Sequence, residues 1–113
     1  MITIWHNPRC SKSRQTLALL QNRGLEVTER RYLEEVPTEA DLRNALTLLG
    51  LPAIEIMRTK DPEFRAKGLS KTSDEASLIT AMAATPKLIE RPIVFANGKA
   101  ALGRPPESVL GIL

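Results

Sequence analysis

The chain has 113 residues, of which 42% are apolar and 26% are charged, and this composition predicts one folded domain with its own core. No apolar run approaches the ~20 residues of a membrane span, and no basic and apolar leader precedes the first strand, so we expect no membrane partner. A single cysteine excludes an internal disulfide and fits a reducing compartment, so a cytoplasmic protein is expected.

Positive charge is unevenly distributed, although the net charge is only +3. Residues 1–31 carry six basic and two acidic side chains, residues 32–57 carry one and five, and residues 58–113 carry nine and six. A nucleic-acid-binding protein more often shows basic stripes with interleaved aromatic side chains, and this chain has only one Trp, one Tyr and two Phe. We therefore expect no nucleic-acid partner.

The N-terminal part of the chain predicts a strand, a helix and a second strand. The β-branched run at residues 2–5 predicts the first strand, and "HNPRC" interrupts it. A helix is predicted from Ser11, with Leu17 and Leu20 on its apolar face and Gly24 as its stop signal. Residues 25–33 alternate well enough to form the second strand. Such a unit predicts parallel strands with a right-handed crossover.

Helices are predicted for the middle of the chain. Pro37-Thr38 opens one of them, Thr38 and Asp41 resemble a capping box, and Gly50 ends it. Its buried face is predicted from apolar residues at helical spacing: Leu42, Ala45, Leu46 and Leu49. Residues 51–72 predict only short helical pieces and loops, with an interruption at Pro62.

A further helix is predicted after an N-cap at Ser73, and Thr85-Pro86 closes it. Its buried face is predicted from Leu78, Ile79 and Met82. The run "PIVFANGKAAL" then predicts a hairpin that turns at Asn97-Gly98.

"GRPPESVLGIL" predicts a last helix that begins with prolines. The resulting order, β-α-β, helices, β-β-α, predicts a single α/β domain over residues 1–113 that looks like a thioredoxin fold. We expect a four-stranded mixed sheet with an inserted helical segment.

Three motifs carry a resemblance to a known family. "HNPRCSKSR", "ERPIV" and "GRPPE", in this order and spacing, resemble the glutaredoxin-dependent arsenate reductase (ArsC) family. The similarity is greatest to the short ArsC-like proteins with "NPRCSKSR", and it covers essentially the whole chain. It implies a thiol-dependent reductase of arsenate, a small oxyanion, with a cysteine that attacks the bound substrate.

Cys10 is the predicted nucleophile. Its position at the predicted helix start exposes it to unpaired N–H groups and to the positive end of the helix dipole, which favour a thiolate. Arg9, Lys12 and Arg14 add positive charge nearby in sequence. A lone cysteine is more often a buried small hydrophobe, but that alternative suits a cysteine within an apolar run.

The only histidine, His6, has two interpretations. It could lie near the sulfur and add positive charge when protonated, or it could form a hydrogen bond at the end of the first strand. The resemblance implies the first, so His6 joins Cys10 as a predicted catalytic residue.

The resemblance implies that Arg58, Arg91 and Arg104 bind the substrate. Guanidinium groups suit a tetrahedral oxyanion because their planar forks donate paired hydrogen bonds. Pro92, after Arg91 and before the third strand, is the predicted structural cis-proline.

Ser13 stands where dithiol proteins of this fold have their second cysteine, so an outside thiol must resolve any adduct on Cys10. The resemblance identifies that reductant as glutathione with glutaredoxin. We expect no bound cofactor, no metal and a monomer. Two alternatives remain open at this point: a glutathione-linked oxidoreductase with another substrate, and a regulatory binding protein like the Spx-type members of related families. Ser13 argues against the second, because those regulators typically use Cys-x-x-Cys as a redox switch.

Overall fold

The structure is a computed structural model that describes residues 2–90 and 92–113. Within it the chain divides into two compact units. The first contains the described residues up to Glu35 and from Pro92 onward, and the second contains Val36–Glu90. The expectation of one domain over residues 1–113 stays a prediction. In the part of the chain that the structure describes, no helix combines the length and the apolar character that a membrane crossing needs.

The first unit contains a four-stranded mixed sheet. Its strands are β1 (Ile2–Trp5), β2 (Val27–Arg30), β3 (Ile93–Ala96) and β4 (Lys99–Leu102). They lie in the order β2-β1-β3-β4, with β1 parallel to β2 and the other two pairs antiparallel. This arrangement confirms the predicted α/β, thioredoxin-like sheet and the parallel pairing of the first two strands.

The core of this unit lies between one face of the sheet and the helical elements around it. Helix α1 (Ser11–Asn22) contributes Leu20, and the C-terminal 3₁₀ helix Pro106–Ile112 contributes Val109. Both side chains pack with Ile4 of β1 and Val94 of β3, and all four are fully buried. The last helix was expected, but its 3₁₀ form was not, and runs of this length are uncommon in 3₁₀ geometry.

The predicted hairpin joins β3 and β4. Asn97 and Gly98 both have positive φ angles, 53° and 71°, as a two-residue turn of the primed type requires. The turn therefore has the conformation that its Asn-Gly sequence predicts.

The second unit is helical. Helix α2 (Glu39–Leu49) has the predicted capping box, with Thr38 Oγ1 accepting from the Asp41 N–H and the Asp41 carboxylate accepting from the Thr38 N–H. Its buried residues are Leu42, Ala45 and Leu46, as predicted, whereas Leu49 is half-buried.

The remaining elements of this unit are short, except for the last α-helix. They are the 3₁₀ helix Ala53–Ile56, α3 (Pro62–Ala66), α4 (Glu75–Ala84) and the 3₁₀ helix Pro86–Leu88. Leu78, Ile79 and Met82 form the buried face of α4, as predicted.

Residues 51–72 contain the predicted short helical pieces and loops. Pro62, predicted as an interruption, begins α3, because proline suits the first helical position and the Asp61 carboxylate caps the helix by accepting from the Glu63 N–H. The predicted N-cap of the next helix is wrong. The N-cap of α4 is Asp74 and not Ser73. The Ser73 hydroxyl instead accepts from the Ser70 N–H in the preceding turn, so the helix begins one residue later.

Candidate active site

Cys10 lies at the N-cap of α1. Its backbone is extended, and its carbonyl accepts the first hydrogen bond of the helix from the Arg14 N–H at 3.0 Å. The first amides of a helix have no partner within it, so the cysteine lies at the end of α1 that favours an anion. Cys10 forms no disulfide, and about 9% of its surface is exposed. The predicted position of the cysteine at the start of this helix is confirmed.

Asn7 organises the loop that leads to the cysteine. Its carbonyl accepts from the Cys10 N–H at 3.0 Å, and its side-chain Oδ1 accepts from the Arg9 N–H at 3.0 Å. Asn-Pro sequences favour such side-chain turns, so this feature could have been found in the sequence. The loop is therefore a hydrogen-bonded turn whose shape depends on Asn7.

Helix α1 holds the same loop by two side chains. Ser13 Oγ accepts from the Asn7 N–H at 3.0 Å, and the Arg14 guanidinium donates to the Pro8 carbonyl at 2.9 Å. Arg14 thus supports the loop as well as adding positive charge. Arg9 and Lys12 are exposed at this end of the helix.

His6 is buried beside α1, with 4% of its surface exposed. Its Nδ1 lies 2.6 Å from Ser13 Oγ, and its main-chain N–H donates to the Arg30 carbonyl at 2.8 Å, at the end of the first strand. Burial lowers the pKa of His6 below its usual 6.5; Glu29 opposes that change, and Arg31 and Arg14 add to it. The imidazole is therefore neutral at pH 7, which is the state expected of a structural partner and not of a cation beside a thiolate.

Arg104 lies in the loop after β4, and its neighbour Gly103 fixes that loop against α1. The Gly103 N–H donates to the Pro92 carbonyl at 2.9 Å. A Cβ atom at Gly103 would lie 2.5 Å from both Pro92 Cγ and Thr16 Oγ1, so only glycine allows this approach. Thr16 is about 8 Å along the helix axis from Ser11. The exposed Arg104 therefore extends from a loop that is packed on the helix that carries Cys10.

The other predicted site residues are placed differently. Arg91 lies outside the described residues, and so does the peptide bond that would make Pro92 a cis-proline. Among the described residues, the cis X-Pro bond is Arg104–Pro105, which the sequence did not indicate. Arg58 belongs to the second unit, where it is half-buried and its N–H donates to the Leu88 carbonyl at 2.8 Å. The hydrogen bond from the Glu63 N–H lowers the pKa of Asp61, and the charges of Lys87 and Arg58 add to that effect. The roles of Arg91 and Arg58 in substrate binding stay predictions.

Fold and site together define a thioredoxin-like domain with one thiol at the start of its first helix. The model of the ArsC family matches residues 5–112. The chain is 51% identical to the Escherichia coli protein YfgD over 99% of its own length and 96% of that protein's. It is 45% identical to a Neisseria meningitidis protein named arsenate reductase, over 99% of this chain and 97% of that one. The structure of an arsenate reductase from Vibrio cholerae superposes with a TM-score of 0.95 at 46% identity, covering 99% of this chain and 97% of that one. The chain belongs to the ArsC family.

Proposed function

We propose that the protein is an arsenate reductase in which Cys10 is the nucleophile and outside thiols supply the electrons. The observation that carries the proposal is the position of the only cysteine, at the N-cap of α1 in a member of the ArsC family. Relatives named arsenate reductase match nearly the whole chain, which supports the choice of substrate. The basic side chains Arg9, Lys12 and Arg14 favour an anionic substrate over a neutral one.

The first chemical step forms a sulfur–arsenic bond. The Cys10 thiolate attacks arsenate, and one oxygen leaves as water after it is protonated, so arsenic stays at oxidation state five. Glutathione then replaces a second oxygen on arsenic in the same way. The helix end and the neighbouring cations assist by favouring the thiolate and by binding the negative charge of the substrate.

The reduction itself requires a further thiol from outside the chain. A glutaredoxin thiolate attacks the glutathione sulfur, a disulfide forms between them, and the electron pair of the broken sulfur–arsenic bond stays on arsenic. Water then releases arsenite from Cys10 and restores the thiol. Two thiols are oxidised for each arsenate reduced. Ser13 supports this scheme, because a hydroxyl at the position of a second cysteine cannot form a disulfide.

The substrate is held by arginine side chains in this proposal. Arg104 is exposed in the loop beside α1, and Arg91 and Arg58 are assigned by the resemblance alone. Arg104 would donate paired, charge-assisted hydrogen bonds to arsenate oxygens, and the resemblance implies the same role for Arg91 and Arg58. The reductant, glutathione with glutaredoxin, belongs to the reducing cytoplasm where we expect the protein to work.

The test is an assay of arsenate reduction in which NADPH consumption reports disulfide formation, coupled to glutathione reductase, or to thioredoxin reductase where thioredoxin is the reductant. We expect arsenate-dependent turnover with glutathione and glutaredoxin, and little with thioredoxin alone. The Cys10→Ser variant should have no activity, and its melting temperature should stay close to that of the unmodified chain. Efficient turnover with thioredoxin alone would contradict the scheme. If the protein reduced a small glutathione-linked disulfide but not arsenate, it would be better assigned as a glutathione-linked oxidoreductase with another substrate.

A further inference from the structure

Ser13 and His6 form a buried pair that the reaction above does not use. Ser13 is fully buried, and Ser13 Oγ lies 2.6 Å from His6 Nδ1. Buried polar groups require hydrogen-bond partners, and a pair this short in the interior is sensitive to the loss of either member. Both residues lie in the first unit, on the two sides of the loop that ends at Cys10.

The positions of the protons in this pair follow from its contacts. The Asn7 N–H donates to Ser13 Oγ at 3.0 Å, so the hydroxyl is an acceptor there. His6 Nδ1 lies within hydrogen-bond distance of the same hydroxyl, which has a single proton to donate. The arrangement that satisfies both contacts has Ser13 donating to Nδ1 and the proton of the neutral imidazole on Nε2.

The chain of contacts leads from the imidazole to the nucleophile. His6 Nδ1 orients the Ser13 hydroxyl, Ser13 Oγ holds the Asn7 N–H, and the Asn7 carbonyl accepts from the Cys10 N–H. We infer that Ser13 is a positioning residue for Cys10, and that His6 acts through Ser13 as a neutral hydrogen-bond acceptor and not as a positive charge beside the thiolate. This inference rests on the proposed function for its catalytic consequence, but not for the geometry.

Protonation of His6 would reverse the hydrogen bond between His6 Nδ1 and Ser13 Oγ. A proton on Nδ1 would point at Ser13 Oγ, and the hydroxyl proton would then lack its acceptor. Burial already lowers the pKa of the imidazole; the charge of Glu29 opposes that effect, and the charges of Arg31 and Arg14 add to it. The neutral pair is therefore the state that holds the loop at working pH.

Four variants separate positioning from charge. Ser13→Ala removes the hydroxyl. His6→Asn places an amide oxygen near the position of Nδ1 and can still accept from Ser13, whereas His6→Gln reaches the position of Nε2 and cannot. The fourth is the double variant Ser13→Ala/His6→Gln. Ser77→Ala, on an exposed face of α4 in the other unit, is the matched serine control.

Two measurements report the role of the pair. The first is the alkylation ratio, the rate at which iodoacetamide alkylates Cys10 at pH 6 divided by the rate at pH 9. This measurement needs no arsenate, and the ratio corrects for the partial burial of the thiol. The second is kcat and KM for arsenate. We expect Ser13→Ala and His6→Gln each to lower the ratio and kcat by about three- to tenfold, as for one lost hydrogen bond, with KM within about twofold. The alkylation ratio and kcat of His6→Asn should stay close to those of the unmodified chain. The double variant should lose no more than the single variant with the larger loss.

Other outcomes overturn the inference. If Ser13→Ala behaves like Ser77→Ala while both His6 variants lower the alkylation ratio, His6 acts directly on the thiolate. If the effects of the two substitutions multiply in the double variant, the residues act independently. If Ser13→Ala does not fold, as its melting curve would reveal, equal losses in His6→Asn and His6→Gln would still refute the inference. An unmodified chain that does not reduce arsenate would refute the proposed function, and the alkylation ratio would still decide the role of the pair.

Discussion

Replacement of Gly103 by alanine tests the contact between the Arg104 loop and α1. The new Cβ would lie 2.5 Å from Pro92 Cγ and 2.5 Å from Thr16 Oγ1, closer than nonbonded atoms approach. Neither neighbour can move freely. The Thr16 hydroxyl donates to the Lys12 carbonyl at 2.8 Å, Pro92 is buried and has a rigid ring, and the Gly103 N–H donates to the Pro92 carbonyl. The loop must therefore shift away from the helix.

The cost of this shift is that of overpacking a buried site, about 1–3 kcal/mol. For a chain of 113 residues, the usual unfolding entropy per residue converts this cost to a fall in melting temperature of about 4–13 °C. Because Arg104 follows Gly103 directly, we also expect kcat/KM for arsenate to fall by at least about tenfold, the equivalent of ~1.4 kcal/mol.

The assay is thermal unfolding followed by circular dichroism, with turnover measured below the melting transition. Gly111→Ala is the matched control, because a Cβ there has no atom within 4 Å and the residue lies in the C-terminal 3₁₀ helix of the same unit. It should leave the melting temperature unchanged or slightly higher, since alanine restricts the unfolded chain. Equal melting temperatures for the two variants would refute the packing argument. If Gly103→Ala lowered the melting temperature without lowering kcat/KM, the Arg104 loop would not be part of the substrate site.

Three further predictions concern the site itself. Cys10 should keep a larger fraction of its pH 9 alkylation rate at pH 6 than a free cysteine peptide does, because the helix end and the cations favour the thiolate; equal fractions would mean that they do not act on it. Arg104→Lys should lower kcat/KM for arsenate by about ten- to a hundredfold, because lysine keeps the charge but loses the planar guanidinium fork. The control Arg43→Lys, at an exposed position, should leave kcat/KM unchanged. Equal kcat/KM values for the two variants would show that Arg104 does not bind the substrate. The free energy of unfolding should fall as the pH is lowered below about 6.5, because burial lowers the pKa of His6 and the unfolded chain binds the proton first. When the free energy of unfolding is measured by urea titration at several pH values, the His6→Asn variant should lack this part of the pH dependence. An unchanged pH dependence would contradict a buried neutral imidazole.

Elements whose stabilising contacts are local were predicted correctly from the sequence. The capping box of α2 joins Thr38 to Asp41, three residues apart, and the apolar spacing of this helix defines its buried face. The hairpin follows from Asn97-Gly98, two residues that accept the backbone the turn requires. These contacts form between residues that are close in the chain, so the sequence alone is sufficient to predict them.

Element boundaries were predicted less well where two local signals compete. Ser73 and Asp74 are both good N-cap residues, and the hydrogen bond from the Ser70 N–H engages Ser73 in the preceding turn. Pro62 is compatible with a break or with a helix start, and the Asp61 cap produces the start. In each case a second contact, not visible as a pattern, determines the outcome.

The sequence by itself determined the chemistry of this protein's site: one thiol at the start of a helix, among cations, without a second cysteine. Tertiary structure alone decided the supports of that site. The contact of His6 with Ser13 requires the strand end to lie against the helix, and the contact of Gly103 with Thr16 requires the C-terminal hairpin to return to α1. The sequence indicates reactivity because reactivity is a property of a single side chain. A positioning contact, in contrast, exists only when the folded backbone brings two groups within a few ångströms of each other.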